Sequence, residues 1–353
     1  MRAAALSIYG ILSAIHFATF LNLGDRKMEN GRKALVTGGA GFLGSHLVRA
    51  LLADGWQVAA MDSLLTGNTD NIDEFAGNPS FEFIKHDVTE PYDGPWNLIA
   101  NLACPASPPR YQADPVHTWE TSVLGALNAA RLARKNGATL FHASTSEVYG
   151  DPEIHPQTES YWGHVNCNGV RSCYDEGKRA AETLLADFRR QYGLDVRMVR
   201  FFNTYGPAMD PEDGRVVTNM IIAALRGRDI PVYGDGTQTR SFQYASDAIE
   251  AVMRLIRKPR EEIDAFCAAK KLSVPVFNIG NPGEFTINEL ADLVLREIPG
   301  TGSKTVNMPL PGDDPKRRRP DISLAGELLG WKPVVPLSEG LPRTIEYFKA
   351  KCL

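Results

Sequence analysis

The stretch Gly38-Gly39-Ala40-Gly41-Phe42-Leu43-Gly44 follows closely on the apolar run Ala34-Leu35-Val36 and decides the fold of this chain. The apolar run predicts a buried strand, and the amphipathic pattern of residues 45–52 predicts a helix. Glycines at positions 38, 41 and 44 allow a tight turn, close approach of the backbone to a pyrophosphate, and tight helix–strand packing. Free N–H groups at the start of such a helix favour an anion. Taken alone, the stretch leaves a ligand-free glycine turn open.

A second predicted strand supports the dinucleotide interpretation. Gln57-Val58-Ala59-Ala60-Met61 is followed by Asp62. An acid about 20 residues past the loop hydrogen-bonds the ribose hydroxyls and repels a 2′-phosphate. No arginine follows Asp62 closely. The sequence therefore predicts NAD, rather than NADP, as the cofactor.

Size and composition narrow the class of protein. The chain has 353 residues, a formal net charge of −4 and five cysteines. Because the charge is negative, we expect no nucleic-acid partner. An odd number of cysteines without disulfide-like spacing indicates reduced thiols, so we expect a cytoplasmic protein. No Cys/His cluster has the spacing of a metal site, and no metal is predicted.

Beyond residue 30, predicted strands and helices alternate as in a doubly wound parallel sheet, the Rossmann arrangement. Strands are expected at residues 35–37, 58–61, 81–84, 98–101, 139–142 and 196–199, and long helices at 118–135 and 174–192. Residues 257–271 are expected to form an exposed helix or insertion. We predict a NAD-binding domain at residues 29–205 and, interleaved with it, a smaller substrate-binding α/β region at residues 206–353.

Residues 1–28 form an apolar N-terminal segment. Residues 3–23 carry no charge and are about long enough to span a bilayer, although several polar residues interrupt them. Three interpretations stay open: a membrane or secretory signal segment, a peripheral helix, or an extension ahead of a start at Met28. A membrane partner is expected only if residues 3–23 act as an anchor.

Tyr174 and Lys178 are the first candidate catalytic pair. Their spacing of four residues places both side chains on one face of a helix. An ammonium beside a phenol favours phenolate, so the pair can supply a general base from a group that titrates near pH ~10. The Tyr-x-x-x-Lys pattern is common by chance. The upstream glycine loop and the Thr145-Ser146-Glu147 cluster strengthen the catalytic interpretation.

Longer stretches carry a family resemblance. They are Leu102-Ala103-Cys104-Pro105-Ala106-Ser107-Pro108-Pro109, residues 144–152, Tyr161-Trp162-Gly163-His164-Val165-Asn166, and residues 171–179, 213–217, 237–240 and 318–322. On these stretches, from about Lys33 to Tyr347, the chain resembles the extended short-chain dehydrogenase/reductase family. It resembles most closely the UDP-glucuronate decarboxylases (UDP-xylose synthases) within that family.

The resemblance implies NAD-dependent decarboxylation of UDP-glucuronate to UDP-xylose through a UDP-4-keto intermediate. Oxidation at C4 places a ketone β to the carboxylate, so the electrons left by carbon dioxide form an enolate, and hydride later returns to the sugar. Tyr174 is expected to accept the 4-hydroxyl proton, Lys178 to hold the nicotinamide ribose, and Thr145 to bind the C4 oxygen. Glu147 is expected near C5, and Arg318 near the carboxylate. Without the resemblance, Glu147 reads as a helix cap or salt-bridge partner and Arg318 as a surface charge in the basic run 316–319.

The resemblance also implies the remaining contacts. The expected cofactor-binding residues are Gly38, Gly41, Phe42, Leu43, Gly44, Asp62, Asp87, Val88, Leu102, Tyr174 and Lys178. The UDP-sugar is expected to contact Asn203, Arg215, Val232, Tyr233, Arg240 and Arg318. Arginines suit the diphosphate because a guanidinium binds phosphate bidentately. A homodimer through residues 118–135 and 174–192 is expected.

Several departures from the family pattern leave the sugar open. Glu120 and Ser122 stand where the family usually has Lys and Asn, Asn101 replaces a usual His, and Cys167-Asn168-Gly169-Val170 replaces Pro-Ile-Gly-Pro. The alternatives are a nucleotide-sugar 4-epimerase, a 4,6-dehydratase, or a decarboxylase that releases the 4-keto pentose. Ser146-Glu147 in place of an Asp-Glu pair argues against a dehydratase. A catalytically silent dinucleotide-binding protein is a further alternative, against which Tyr174 and Lys178 argue.

Overall fold

A seven-stranded parallel sheet dominates the computed structural model, which describes residues 31–310 and 317–352. The strands are β1 (Lys33–Thr37), β2 (Gln57–Asp62), β3 (Phe81–Lys85), β4 (Leu98–Asn101), β5 (Thr139–Thr145), β6 (Val196–Phe201), β7 (Thr204–Tyr205), β8 (Ile230–Tyr233), β9 (Thr239–Ser241), β10 (Gln243–Tyr244), β11 (Val276–Ile279), β12 (Glu284–Thr286), β13 (Thr305–Met308) and β14 (Arg317–Arg318). The sheet has the order β11-β6-β5-β4-β1-β2-β3. The predicted doubly wound sheet is therefore confirmed.

Helices cover both faces of the sheet. They are α1 (Phe42–Ala53), α2 (Pro108–Ala113), α3 (Pro115–Asn136), α4 (Ser172–Tyr192), α5 (Val216–Leu225), α6 (Ala245–Arg257), α7 (Arg260–Lys270), α8 (Ile287–Glu297), α9 (Ser323–Leu329) and α10 (Leu337–Cys352). Strand side chains alternate between the two faces. In β1, Ala34 and Val36 pack into the core beneath α1 and α6, whereas Leu35 packs into the core beneath α3 and α4.

Local sequence signals place α3 and α4, the helices next to the candidate catalytic residues. The Asp114 side chain accepts a hydrogen bond of 3.0 Å from the His117 N–H and caps α3, which ends at Gly137 with φ 63°. Helix α4 ends in the same way, at Gly193 with φ 66°. Glycine adopts this left-handed conformation without steric cost, so both helix ends are encoded locally.

A second core lies mainly within the C-terminal part of the chain. Helices α5, α8 and α10 and strand β8 contribute buried residues such as Ile221, Leu290, Phe348 and Ile230 to it. Three small sheets accompany this core: β10-β7, β13-β8 and β12-β9-β14. Residues from Arg32 onward form one compact unit, in which α6 and β11 return to the first core. The first core thus draws on residues from both sides of the predicted division at residue 205, and the domain bounds stay a prediction.

The charged segment at residues 257–271 contains a helix that is partly buried. Helix α7 confirms a helix within residues 257–271, but Ile263 and Cys267 are buried in the core, so this segment is not a simple exposed insertion. The predictions for residues 1–28 and for Lys316 lie outside the described residues. Within the described ranges, no helix combines the length and apolar character needed to cross a membrane.

Candidate active site

The carboxyl ends of the central strands open into a large cavity of about 970 Å³. This volume is near the upper end of the range of about 300–1,000 Å³ for ligand sites. The glycine loop and Asp62 line one part of it, and residues that follow β6 and β8 line another. An open α/β sheet places its ligands at this edge.

The glycine loop is built for close backbone approach. Gly38 has φ 69°, and a Cβ on Gly44 would lie 1.9 Å from the carbonyl oxygen of Gly38. Helix α1 starts after Gly41, and among the described residues no side chain caps that start. Its first-turn N–H groups, at Phe42 and Leu43, therefore stay available beside the cavity that both residues line. The loop fits the pyrophosphate of a dinucleotide.

Asp62 ends β2 in the cavity wall and is 8% exposed. Its Oδ2 accepts a bond of 3.1 Å from the Ala40 N–H, and its Oδ1 accepts one of 2.8 Å from the Leu64 N–H. Burial raises the pKa of this carboxyl, and the two backbone bonds oppose that rise. Each oxygen keeps acceptor capacity for a ribose hydroxyl. Three more of the expected cofactor-binding residues line the same cavity: Asp87, Val88 and Leu102.

Tyr174, Lys178 and Thr145 meet in the cavity wall, at the start of α4 and the end of β5. The Thr145 side chain lies beside the Tyr174 phenol and lowers its pKa. Lys178 Nζ lies 5.9 Å from the centre of the Tyr174 ring and donates a 2.8 Å bond to the Ala143 carbonyl. Burial, followed by the nearby Cys104 thiol, raises the pKa of Tyr174 well above its ordinary value. The expectation that the Lys178 ammonium favours phenolate stays a prediction.

Glu147 is held between two arginines. Arg318 donates to its Oε1 and Arg171 to its Oε2, each at 2.6 Å. Burial alone would raise the pKa of Glu147, but the two guanidinium groups outweigh burial and lower it to about 2. Glu147 is therefore ionised at neutral pH. Arg318 is 2% exposed and also bonds to Ser146 Oγ at 3.0 Å and the Gly150 carbonyl at 2.8 Å, which rules out the surface-charge interpretation.

The predicted substrate residues divide into two groups. Asn203, Arg215, Tyr233 and Arg240 line the cavity. Val232 does not: it is 1% exposed and packs into the second core, because alternate residues of β8 face opposite sides. The side chain of Val232 thus faces away from the cavity, and the contact between Val232 and the substrate stays a prediction.

Arg215 occupies a junction between the two parts of the cavity. Its Nε and Nη2 bond to the Asp213 carboxylate at 2.5 and 3.0 Å. Its guanidinium lies 5.8 Å from the centre of the Phe42 ring, at the start of α1. Arg215 is thus held close to the glycine loop as well as to the residues after β6, and its assignment to the diphosphate of the sugar stays a prediction.

The residues that depart from the family pattern differ in their burial and in their contacts. Asn101 is buried between the Thr37 hydroxyl at 2.8 Å and His142 Nδ1 at 3.2 Å. Ser122 is also buried and lies 3.2 Å from Cys104 Sγ. The Glu120 side chain is 46% exposed and is outside the cavity wall. Glu120 therefore does not place an anion among the residues that line the cavity.

Sequence reasoning gave no role to two residues that the structure brings to the site. Arg171 binds Glu147, as described above, and Tyr111 stacks on Tyr174 with ring centres 5.1 Å apart and an angle of 5°. Helical spacing could have identified Arg171, because it precedes Tyr174 by three residues and Lys178 by seven. Tyr111 comes from α2, distant in sequence, and carried no comparable signal.

Comparison with known proteins supports the same class. The model of the NAD dependent epimerase/dehydratase family matches residues 34–280, most of the chain. The chain belongs to this family, which confirms the resemblance and the NAD cofactor inferred from the sequence.

Within the family, the chain is similar to curated decarboxylases. It is 52% identical over 326 residues to UDP-glucuronic acid decarboxylase 6 of Arabidopsis thaliana, covering 92% of this chain and 90% of the relative. It is 48% identical over 330 residues to UDP-glucuronic acid decarboxylase 1 of Xenopus tropicalis, covering 94% and 74%.

Solved structures share the fold at lower identity. A UDP-glucuronic acid 4-epimerase from Bacillus cereus, in complex with UDP-glucuronic acid and NAD, has a TM-score of 0.78 and 26% identity over 90% of this chain and 99% of its own. A UDP-glucose 4-epimerase from Thermotoga maritima, with UDP-glucose, has a TM-score of 0.79 and 29% identity over 91% and 100%.

Proposed function

We propose that this protein is an NAD-dependent decarboxylase that converts UDP-glucuronate to UDP-xylose and carbon dioxide. The observation that carries the proposal is the Glu147 carboxylate, 17% exposed and held between Arg171 and Arg318, in the same wall as Tyr174 and Thr145. An oxidation centre and a binding place for a carboxylate thus lie side by side. The similarity to UDP-glucuronic acid decarboxylases supports this substrate.

The cofactor would be held by the glycine loop, Asp62 and Lys178. The start of α1 suits its pyrophosphate, the Asp62 carboxylate suits a ribose with free hydroxyls, and Lys178 is buried close to Tyr174. When bound, NAD supplies the hydride acceptor for C4 of the sugar and a positive charge that favours ionisation of a neighbouring phenol. Return of this hydride to C4, after carbon dioxide has left and C5 has been protonated, would give UDP-xylose and regenerate NAD in each cycle.

Tyr174 and Thr145 act on the 4-hydroxyl in this proposal. Tyr174 accepts its proton while Thr145, which lines the same cavity wall, holds the C4 oxygen. Because burial raises the pKa of Tyr174, this side chain is the neutral phenol in the protein without NAD and substrate. Proton transfer to Tyr174 is then expected only when both NAD and the UDP-sugar are bound.

Glu147, Arg171 and Arg318 act after oxidation. The C4 ketone accepts the electron pair of the bond between C5 and the carboxylate, carbon dioxide leaves, and C5 of the enolate is then protonated. The two guanidinium groups can bind the sugar carboxylate bidentately before it leaves. Glu147 keeps both guanidinium groups beside the cavity, and its low pKa makes it an orienting anion in the protein without substrate.

We also propose a homodimer that pairs α3 and α4. These helices expose large apolar side chains on the outer surface, including Val116, Trp119 and Tyr192. Two-fold pairs are the commonest assemblies of soluble enzymes. The proposal follows the family resemblance and rests on no observed partner.

Incubation of the full chain with UDP-glucuronate and NAD tests the function. We expect carbon dioxide and UDP-xylose in equal amounts, and a loss of about 10²–10⁴ in rate for Tyr174→Phe because the general base is removed. A product epimerised at C4, without carbon dioxide, would favour the 4-epimerase. Carbon dioxide together with a UDP-4-keto-pentose in solution would favour the decarboxylase that releases its 4-keto product.

A further inference from the structure

Asn278 lies in β11, outside the cavity wall, and is 0% exposed. Its amide oxygen accepts a 2.7 Å hydrogen bond from the Tyr149 hydroxyl. Tyr149 ends the short helical turn Ser146–Tyr149, which also carries Glu147. One end of the Asn278 amide is therefore attached to the turn that presents the carboxylate of the candidate decarboxylation centre.

The other end of the amide is attached to the segment that carries Arg318. Asn278 Nδ2 donates to the carbonyl oxygens of Gln157 at 3.0 Å and Asp321 at 3.2 Å. Gln157 is paired with the residues after Arg318: its N–H donates to the Arg319 carbonyl at 2.9 Å, and its Oε1 accepts from the Arg319 N–H at 2.8 Å. Both carbonyl acceptors thus belong to one locally paired unit.

Neighbouring groups fix the orientation of the amide. Arg200 donates a 2.9 Å bond to the Tyr149 hydroxyl and is itself held by Glu182 at 2.6 Å. Because Arg200 is always a donor, the hydroxyl must direct its own proton toward Asn278 Oδ1. The Asn278 N–H donates to Glu159 Oε1 at 2.8 Å, which anchors the backbone as well. A carboxylate at this position would face two carbonyl oxygens without a donor.

We propose that Asn278 is a positioning residue for decarboxylation. Its amide holds the Glu147 turn and the Arg318 segment in register, so that the guanidinium meets the carboxylate at the cavity wall. The direct bond between Glu147 and Arg318 fixes their contact, but Asn278 fixes where the pair sits relative to the sheet. This inference rests on the function proposed above.

The oxidation step should be spared by a change at Asn278. Thr145 and Lys178 are placed by β5 and α4, and the Asn278 amide bonds to Tyr149, Gln157 and Asp321 rather than to these residues. Thr145 touches the turn through a 3.2 Å bond that its Oγ1 accepts from the Glu147 N–H, at the end of the turn opposite Tyr149. Loss of the amide should therefore slow decarboxylation without slowing oxidation at C4. A purely structural role would instead lower the amount of active protein and affect both halves equally.

The test compares Asn278→Asp and Tyr149→Phe with wild type, using UDP-glucuronate. Rapid mixing follows formation of reduced nicotinamide, and carbon dioxide release is measured in the same samples. We expect carbon dioxide release to fall by about 10²-fold, the effect of a ~1 Å misplacement. Formation of reduced nicotinamide should stay near the wild-type rate, and the 4-keto acid should accumulate. Asn136→Asp is the control, because this residue donates one 2.6 Å bond to the Gly94 carbonyl away from the cavity.

The outcomes separate this inference from the proposed function. If wild type releases carbon dioxide but both variants keep the wild-type ratio of the two rates, Asn278 has no positioning role. If wild type releases none, the proposed function fails first. Should Asn278→Asp not fold, Tyr149→Phe alone decides, since it cuts the same connection from the opposite end.

Discussion

The charge of Glu147 is decided by a competition at the scale of single residues. Burial would keep a carboxyl neutral, but two guanidinium groups at 2.6 Å keep it ionised, with a pKa of about 2. Disruption of this half-buried carboxylate and its buried partner Arg318 is destabilising, because removal of one member leaves an uncompensated charge. These ion pairs could stabilise the fold or take part in the reaction, and their position beside Tyr174 favours a part in the reaction.

Asp62 leads to a prediction about nucleotide choice. Its carboxylate is fixed by the Ala40 and Leu64 N–H groups at the place expected for a ribose. NAD should bind far more tightly than NADP, because a 2′-phosphate would meet this anion. Asp62→Ala should narrow that gap, as measured by calorimetric titration of both nucleotides. Equal affinity of wild type for the two nucleotides would contradict the assignment.

At the scale of elements, α4 and the residue before it contribute three groups to the site. Arg171 immediately precedes this helix and projects toward Glu147, while Tyr174 and Lys178 follow at helical spacing in the cavity wall. Asp175 lies on the same helix and is 6% exposed, and its Oδ1 has no hydrogen-bond partner among the described residues. Burial, followed by the charge of Glu147, raises the pKa of Asp175 to about 8.

This raised pKa predicts a pH-dependent stability. The folded protein binds the Asp175 proton more tightly than the unfolded chain, where the pKa is near 3.8. The contribution to the free energy of unfolding is therefore full below that pH and is lost as the pH rises toward about 8. Asp175→Asn should flatten this fall, as measured by urea unfolding at pH 5 to 8. The exposed Asp292→Asn is the control, and an unchanged slope in Asp175→Asn would refute the prediction.

The elements also show what a sequence can reveal. The strands and the glycine loop were predictable because apolar runs, glycines and the acid after β2 are local signals, and β4 has the predicted bounds. The burial of Arg318 was not predictable, because it depends on pairing between β14 and β9 and on contacts with Ser146 and Gly150, all distant in sequence. The partial burial of residues 257–271 was also not predictable, because it depends on packing against residues distant in sequence. The charge of this segment suggested exposure, but α7 inserts Ile263 into the core.

At the scale of the whole molecule, the two cores converge on one cavity. The large sheet and its helices supply the glycine loop and the Tyr174 wall, and the segments of the C-terminal core supply Arg215, Tyr233 and Arg240. Because α6 and β11 return to the first core, separate expression of residues 29–205 would leave that core incomplete. The site therefore belongs to the chain as a unit.

Assembly provides a prediction at this scale. If α3 and α4 pair across a two-fold axis, the protein should be a dimer by light scattering at micromolar concentration. Trp119→Glu should weaken the dimer, because Trp119 is a large apolar side chain, 44% exposed, on α3. The matched change Val334→Glu, at a residue 60% exposed in a different region, should not. A wild-type monomer would contradict the proposal.

In the proposed function, Glu147, Arg171 and Arg318 form a decarboxylation centre separate from the oxidation centre. Rapid mixing of Glu147→Gln with UDP-glucuronate and NAD, following reduced nicotinamide and carbon dioxide together, tests this separation. Glu250→Gln is the control, since Glu250 pairs with Arg254 on the outer helix α6. We expect reduced nicotinamide to form in Glu147→Gln while carbon dioxide release falls by about 10²-fold or more, because the two arginines lose their shared anion. Carbon dioxide release at the wild-type rate would show that Glu147 serves only as a buried ion-pair partner.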